Sequence, residues 1–293
     1  MESEKYTERL TGNRSAGCDG DGPDERDVLK VRSMEHVKDK IKVHFVGAGP
    51  GAEDLITVRG MRLLSEADMV IYAGSLVNPK LLEYAPGAEH FNSATMTLEE
   101  VIAKIREAVE RGMTVVRLHT GDQSIYGAVK EQMRELDRLG ISYDSCPGVS
   151  ACFGAAASMN LEYTLPGISQ SLIITRMQGR TAVPERESIR SFAAHGASMA
   201  IYLSASLLTE LSGELQAGGY EKDTPAAIVY KATWPEEKIL RCTVGTLAET
   251  AEENGVRKTA VILVGDAVGA EAFEDSRLYA PDFSTEYRKA KEV

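Results

Sequence analysis

The stretch IKVHFVGAGPGAEDLITVRGMRLLSEADMVIYAG, residues 41–74, decides the fold. It opens with an apolar, β-rich run, IKVHFVG (41–47), that ends on a glycine. Helix formers follow in VRGMRLLSEA (58–67), and then a second apolar run, DMVIYAG (68–74). Strand, helix and strand joined by short loops make a βαβ unit, and repeating it gives a mainly parallel sheet covered by helices. The repetition continues downstream. Thr97 and Glu100 stand at capping-box spacing. The helix they begin places Leu98, Val101, Ile102, Ile105 and Val109 on one face, with Gly112 as its stop. TVVRLHTG (114–121) reads as a third strand, Val129, Met133, Leu136 and Leu139 mark another amphipathic helix before Gly140, and ISYDSCPG (141–148) extends the pattern.

The segment MNLEYTLPGISQ (159–170) carries Pro and Gly, has no clean period, and is a linker candidate. Beyond it the chain has strands of its own: SLIIT (171–175), MAIYLS (199–204), AAIVYKA (226–232) and AVILVG (260–265). Between them Leu207, Leu208, Leu211 and Leu215 share one helix face. The expected organisation is therefore two α/β domains, residues 41–160 and 161–285, followed by a polar tail at 286–293. Residues 1–40 are charged and rich in Gly and Ser, which predicts a disordered or loosely attached extension. Met34, just before the first convincing strand, is a candidate for the true start.

Composition narrows the class. The 293 residues are 43% hydrophobic and 26% charged, which suits a globular enzyme. No run of eighteen apolar residues appears and the N-terminus lacks the apolar core of a secretory signal, so neither a membrane span nor export is expected. Four scattered cysteines without CxxC spacing, and five histidines without metal spacing, argue against a zinc site or a disulfide framework and fit a reducing cytoplasm. A formal charge of -11 argues against nucleic acid as a partner but leaves room for a locally basic pocket.

Three glycine-rich stretches fall where strands end, the edge at which open α/β sheets bind ligands. Gly47-Ala48-Gly49-Pro50-Gly51 invites a dinucleotide reading, but Pro50 removes an amide from any phosphate cradle and no acid ends the second strand to hold a ribose. A purely structural turn is the plainer alternative. His119 to Gly127 includes Gly121-Asp122, a bare backbone with one carboxylate; Asp122 could serve a ligand, cap the next helix, or do both. Pro147-Gly148-Val149-Ser150-Ala151 opens a helix of very small residues, against which either a neighbouring helix or a ligand must come close. Cys152 on that helix reads as a buried thiol. Arg176, Arg180, Arg186 and Arg190 form a local basic cluster, by default a solvated helix face, though a polycarboxylate would need such partners.

Taken in order, FVGAGPGAEDLITVRG (45–60), YAGSLVNPKLL (72–82), LHTGDQSIYGA (118–128), LEYTLPGISQSLIITRMQGRTAVPE (161–185) and YKATWPEEKILRCTVG (230–245) resemble the tetrapyrrole methylase family over roughly residues 41–285. They are most similar to the branch that methylates corrin precursors at the precorrin-4 stage. Gln123 departs from the pattern, which often has proline there. The resemblance implies two α/β domains with S-adenosylmethionine in the cleft between them, held by Gly121, Asp122, Ile125, Tyr126, Ser150, Ala151, Cys152, Met177, Tyr202, Leu203, Ala232 and Thr233. It implies a tetrapyrrole trough bordered by Gly49, Pro50 and Gly51. Arg59, Arg176, Arg180 and Lys231 are the candidates for pairing with the substrate's carboxylates, and a homodimer is expected. No catalytic base and no metal of the protein's own are assigned. The rival readings are a methylase of another tetrapyrrole such as uroporphyrinogen III, an NAD(P)-binding oxidoreductase, and a non-enzymatic sensor.

Overall fold

The computed structural model describes residues 42–74 and 76–291. The N-terminal extension and the candidate start at Met34 lie outside the described residues, as does the end of the polar tail.

Two five-stranded sheets carry the fold. The first contains β1 (Val43–Gly47), β2 (Met69–Tyr72), β3 (Glu89–Asn92), β4 (Val115–His119) and β5 (Tyr143–Cys146). Its order is β3-β2-β4-β1-β5, and every pair is parallel, as the βαβ repetition predicts. Helix α1 (Val58–Ser65) covers one face, with Leu64 against Val46, Val70, Val116 and Leu118. Helices α2 (Leu98–Glu110) and α3 (Val129–Leu139) cover the other, with Val101, Ile105 and Leu136 against Phe45, Ile71 and Val115. The capping box is formed: Thr97 Oγ1 accepts from Glu100 N–H while Glu100 accepts from Thr97 N–H. Gly140 ends α3 in the left-handed conformation.

The second sheet contains β6 (Leu172–Arg176), β7 (Ser198–Tyr202), β8 (Pro225–Tyr230), β9 (Lys238–Thr243) and β10 (Ala260–Val264) in the order β6-β7-β10-β8-β9. Only β6 and β7 run parallel; the other pairs are antiparallel. Strands β3 and β9, which the apolar runs do not announce, both lie at sheet edges, where one side faces water and the hydrophobic signal halves. Helices α5 (Ile189–Ala193), α6 (Leu208–Ala217) and α7 (Leu247–Glu253) pack on one face through Ile189, Leu211, Leu215 and Leu247.

The opposite face is covered by α4 (Ala151–Met159), the helix of small residues. Cys152, Ala155, Ala156 and Met159 meet Ala200, Ala227, Val229 and Leu263 of the second sheet. On its buried side this helix meets a sheet face studded with alanines, where the sequence reading weighs a helix or a ligand. Small residues on both sides let the two backbones approach closely while still excluding water.

A buried polar row crosses the first half. Arg117 donates from Nε to Gln132 Oε1 at 3.0 Å, from Nη1 to Ile71 O at 3.0 Å, and from Nη2 to Ser93 Oγ at 3.1 Å. Burial pushes its guanidinium down to about 10. Two residues on, His119 is buried and its Nε2 has no partner. Burial, and then the Arg117 charge, push the imidazole down to about 3. The unfolded chain therefore binds a proton at His119 between about pH 6.5 and 3 that the native protein does not, so stability falls as pH drops through that window. The expected slope is about 1.4 kcal/mol per pH unit, or about 2 kcal/mol by pH 5. Urea midpoints at pH 7 and pH 5 should show this loss in the wild type and a flatter profile in His119→Phe; equal slopes would remove His119 as the cause.

Candidate functional site

The connections from β1 and β4 leave to opposite faces of the first sheet, α1 on one and α3 on the other, which makes the gap between these neighbouring strands its topological switch point. In an open parallel sheet a ligand would lie in that crevice. Here the crevice is shut by backbone. Gly49 N–H donates to Gly121 O at 3.2 Å, Gly121 N–H returns a bond to Gly49 O at 2.8 Å, and Ala48 N–H donates to His119 O at 2.7 Å. Gly148 joins the stack: a Cβ on it would stand 2.2 Å from Gly121 O and 2.8 Å from Gly47 Cα. Ala52 N–H donates to Thr233 Oγ1 at 3.0 Å. With these amides engaged and Pro50 lacking one, the loop has no cradle for a pyrophosphate, and the nicotinamide reading fails on geometry.

Asp122 shapes the next loop. Its Oδ1 accepts from Ser124 N–H at 2.9 Å and from the Ser124 hydroxyl, and its Oδ2 accepts from Gly148 N–H at 2.8 Å. Partial burial pushes the carboxyl up, but these hydrogen bonds outweigh it and hold the group below its usual range. Both oxygens are thus committed to loop structure, beyond the simple helix cap weighed from sequence. Gln123 is buried and donates from Nε2 to Cys146 O at 3.1 Å, tying this loop to the end of β5.

Seven non-glycine residues in the described chain have positive φ, and five of them stand in loops bearing expected site residues: Tyr126 (55°), Ala128 (48°), Leu203 (53°), Lys231 (47°) and Thr233 (67°). Such backbone costs of order 1–3 kcal/mol per residue and gathers at functional sites. Tyr126 and Leu203 are exposed, as is Phe153 in the first turn of α4. The Tyr126 and Tyr202 rings stand 5.8 Å apart. Tyr202, at the end of β7, reaches across to the start of α4. Its Oη accepts from Cys152 N–H at 2.7 Å and lies 2.8 Å from Ser150 Oγ. Met177 N–H donates to Ser204 Oγ at 2.9 Å, and Ser204 Oγ in turn donates to Tyr202 O at 2.6 Å. Burial, the largest influence on each, pushes both tyrosines and the Cys152 thiol up, leaving all three protonated at neutral pH.

The turn after β8 ties the two halves together. Trp234 Nε1–H donates to Pro50 O at 3.1 Å. Glu237 Oε2 accepts from Thr233 N–H and, at 2.8 Å, from the Ser158 hydroxyl of α4. Asn78 Nδ2 donates to Gly51 O at 2.8 Å from the first half. Asn78, Trp234 and Glu237 are absent from the sequence reading as site residues, although all three fall inside the stretches that carry the resemblance. Ala232 is buried beside this turn.

The residues expected to meet the substrate differ in exposure and in partners. Gly49, Pro50 and Gly51 are all buried: Gly49 faces Leu55, Pro50 packs on Gly154 of α4, and Trp234 lies on Gly51. Arg176 donates from Nη1 to Met177 O at 3.1 Å and Thr181 O at 3.3 Å, and from Nη2 to Ala182 O at 3.0 Å. Those bonds fold the 177–182 loop instead of presenting a free fork to a carboxylate. Lys231 Nζ lies 3.2 Å from Glu236 Oε2 and 5.3 Å from the centre of the Trp234 ring, so its charge is already matched. Arg59 and Arg180 are exposed and have no ion-pair partner among the described residues. The basic cluster is not one helix face either: Arg176 ends β6, Arg180 lies in the loop after it, Arg186 sits in a 3₁₀ turn, and Arg190 is on α5.

Comparison with known proteins agrees with this geometry. The cobalt-precorrin-4 C(11)-methyltransferase of Methanocaldococcus jannaschii is 51% identical over 250 residues, covering 85% of this chain and 96% of that protein. An X-ray structure of a cobalt precorrin-4 methyltransferase, a cobalamin biosynthetic enzyme, superposes with a TM-score of 0.77 at 45% identity over 79% of this chain and 98% of the other. The uroporphyrin-III C-methyltransferase of Thermus thermophilus complexed with S-adenosylhomocysteine superposes at 0.66 with 26% identity, covering 80% and 96%. The family described as Tetrapyrrole (Corrin/Porphyrin) Methylases matches residues 42–248. The chain belongs to the tetrapyrrole methylase family.

Proposed function

We propose that the protein is an S-adenosylmethionine-dependent methyltransferase of corrin biosynthesis, methylating C-11 of (cobalt-)precorrin-4 to give (cobalt-)precorrin-5. The observation that carries this is the convergence of strained, non-glycine backbone from both halves on one cleft, in a chain that matches a cobalt-precorrin-4 methyltransferase along nearly all of that protein's length. Uroporphyrinogen III is the lesser alternative, since similarity to the uroporphyrin-III enzyme is only 26%.

The cleft fits the cofactor. Its wall offers the aromatic faces of Tyr126 and Tyr202, which suit a sulfonium cation. It offers no group poised to deprotonate near neutral pH, because the two tyrosines and Cys152 stay protonated and Asp122 is fully hydrogen-bonded. S-adenosylmethionine supplies an already activated methyl group when bound. What remains for the protein is to align an electron-rich ring carbon with it and exclude water, and positioning of that kind can supply about 7–11 kcal/mol of the barrier. Gly121, Asp122, Ile125 and Tyr126 bind from the first half, Ser150, Ala151 and Cys152 from the start of α4, and Met177, Tyr202, Leu203, Ala232 and Thr233 from the second half. Arg59 and Arg180 take the substrate's carboxylates. The two α/β halves work as one unit across α4, and the protein acts as a homodimer in the cytoplasm. Among the described residues no helix is long and apolar enough to cross a membrane.

Calorimetric titration with S-adenosylhomocysteine is expected to give micromolar binding that Asp122→Ala weakens about tenfold, equivalent to about 1.4 kcal/mol. Turnover of (cobalt-)precorrin-4 to a C-11-methylated product identifies the substrate. A folded wild type that binds no S-adenosylhomocysteine would overturn the reading.

A further inference from the structure

The Gly49-Pro50-Gly51 loop is buried where the two halves meet, so something else must form the surface over Gly51. That something is Trp234, the only tryptophan in the sequence. Its ring lies directly on Gly51: a Cβ at that position would stand 2.1 Å from Cδ1 and 2.4 Å from Nε1. The indole N–H is anchored on Pro50 O at 3.1 Å. Thr233, next to it, takes Ala52 N–H at 3.0 Å, and Asn78 holds Gly51 O at 2.8 Å from the other side. Three consecutive backbone groups of the loop are thus fixed by side chains, two of them from one turn more than 180 residues away in sequence. The ring remains partly exposed, with the Lys231 ammonium 5.3 Å from its centre. A flat macrocycle is the ligand that such a partly exposed, rigidly held ring would stack against.

We propose that Trp234 is a specificity-determining residue of the tetrapyrrole site. The glycine loop is its mount, and the indole face is what the macrocycle meets. This rests on the reading that the cleft binds a tetrapyrrole next to the cofactor. The ring bears on recognition of the macrocycle and adjoins the cofactor residues only through Ala232 and Thr233, which precede it in the chain.

Kinetics of full-length Trp234→Phe and Trp234→Ala, with (cobalt-)precorrin-4 and S-adenosylmethionine, test the proposal alongside calorimetry with S-adenosylhomocysteine. Trp234→Phe keeps a ring and loses only its anchor, so it guards against simple misfolding. The tetrapyrrole KM should rise about tenfold in the Ala variant and less in the Phe variant. The S-adenosylhomocysteine Kd should stay within about twofold, and kcat should change less than KM, the signature of lost substrate binding. Gly51→Ala, which would displace the ring, should raise KM in the wild-type background and add less than about twofold to Trp234→Ala. An unchanged tetrapyrrole KM in both Trp234 variants would overturn the proposal, as would a cofactor Kd that weakens in step with KM. If the wild type itself binds S-adenosylhomocysteine but methylates no tetrapyrrole, the functional reading fails first and takes the proposal with it.

Discussion

Gly148→Ala should leave a protein that folds poorly and binds no S-adenosylhomocysteine. The added methyl would stand 2.2 Å from Gly121 O and 2.8 Å from both Cα and C of Gly47, and every one of those atoms is backbone. A flexible side chain could swing aside; a β-strand end and a loop bonded to it cannot. Moving Gly148 away would also break its N–H bond to Asp122 Oδ2, so the 120–127 loop would loosen at its one carboxylate anchor. Overpacking a tight site costs about 1–3 kcal/mol and more where nothing yields. For a chain of this size, each kcal/mol lowers Tm by about 2–4 °C. A drop approaching 10 °C by calorimetry or circular dichroism is expected. Gly87→Ala, with nothing within 4 Å of the new Cβ, is the matched control and should melt like the wild type. If the two variants behave alike, the three-glycine contact is not the constraint described here.

Tyr202→Phe should weaken S-adenosylhomocysteine binding about tenfold and lower Tm by several degrees. The phenol oxygen is the acceptor for Cys152 N–H at 2.7 Å and the neighbour of Ser150 Oγ at 2.8 Å. Removing it strands the first-turn amide of α4 in a buried setting, at a cost of about 1–3 kcal/mol. The ring itself survives, as does its packing beside Tyr126. A loss of affinity therefore reports the position of α4, not a missing wall. Retained affinity with a lowered Tm would leave the Tyr202 hydroxyl a structural tie with no part in cofactor binding.

Much of the first half is legible in its residues because its rules are local. Thr97 and Glu100 cap one helix from three residues apart, Gly140 ends another, and buried parallel strands show as apolar runs. The strand ends and glycine loops are also visible, which is why Gly121, Asp122 and Tyr126 can be singled out. The second half is harder. KILRCT, the sequence of β9, alternates weakly because its strand is an edge, and nothing local says that β10 inserts between β7 and β8 with reversed direction. The site details that escape are those fixed by distant partners. Arg176 looks like a free cation until the 177–182 carbonyls fold around it. Lys231 looks free until Glu236 stands beside it. Pro50 argues correctly against a phosphate cradle, but only the fold reveals that a tryptophan from the other half lies over its neighbour.

The position of α4 has a consequence for how such a protein can be cut and recombined. By sequence the helix follows the first sheet directly; by packing it is a cover for the second, with Cys152, Ala155 and Met159 among Ala200, Ala227 and Leu263. A chimera joined after the helix would pair one parent's alanine ridge with another parent's sheet, and a mismatch of a single methylene in so close a contact would be felt. A junction at 147–150, ahead of the helix, would keep the ridge and its sheet together. It would fall, however, within the Gly148 contact that holds the first half's loops. Neither junction flanking α4 is therefore neutral, and a recombinant would keep its parent's packing only if this region were exchanged as a whole.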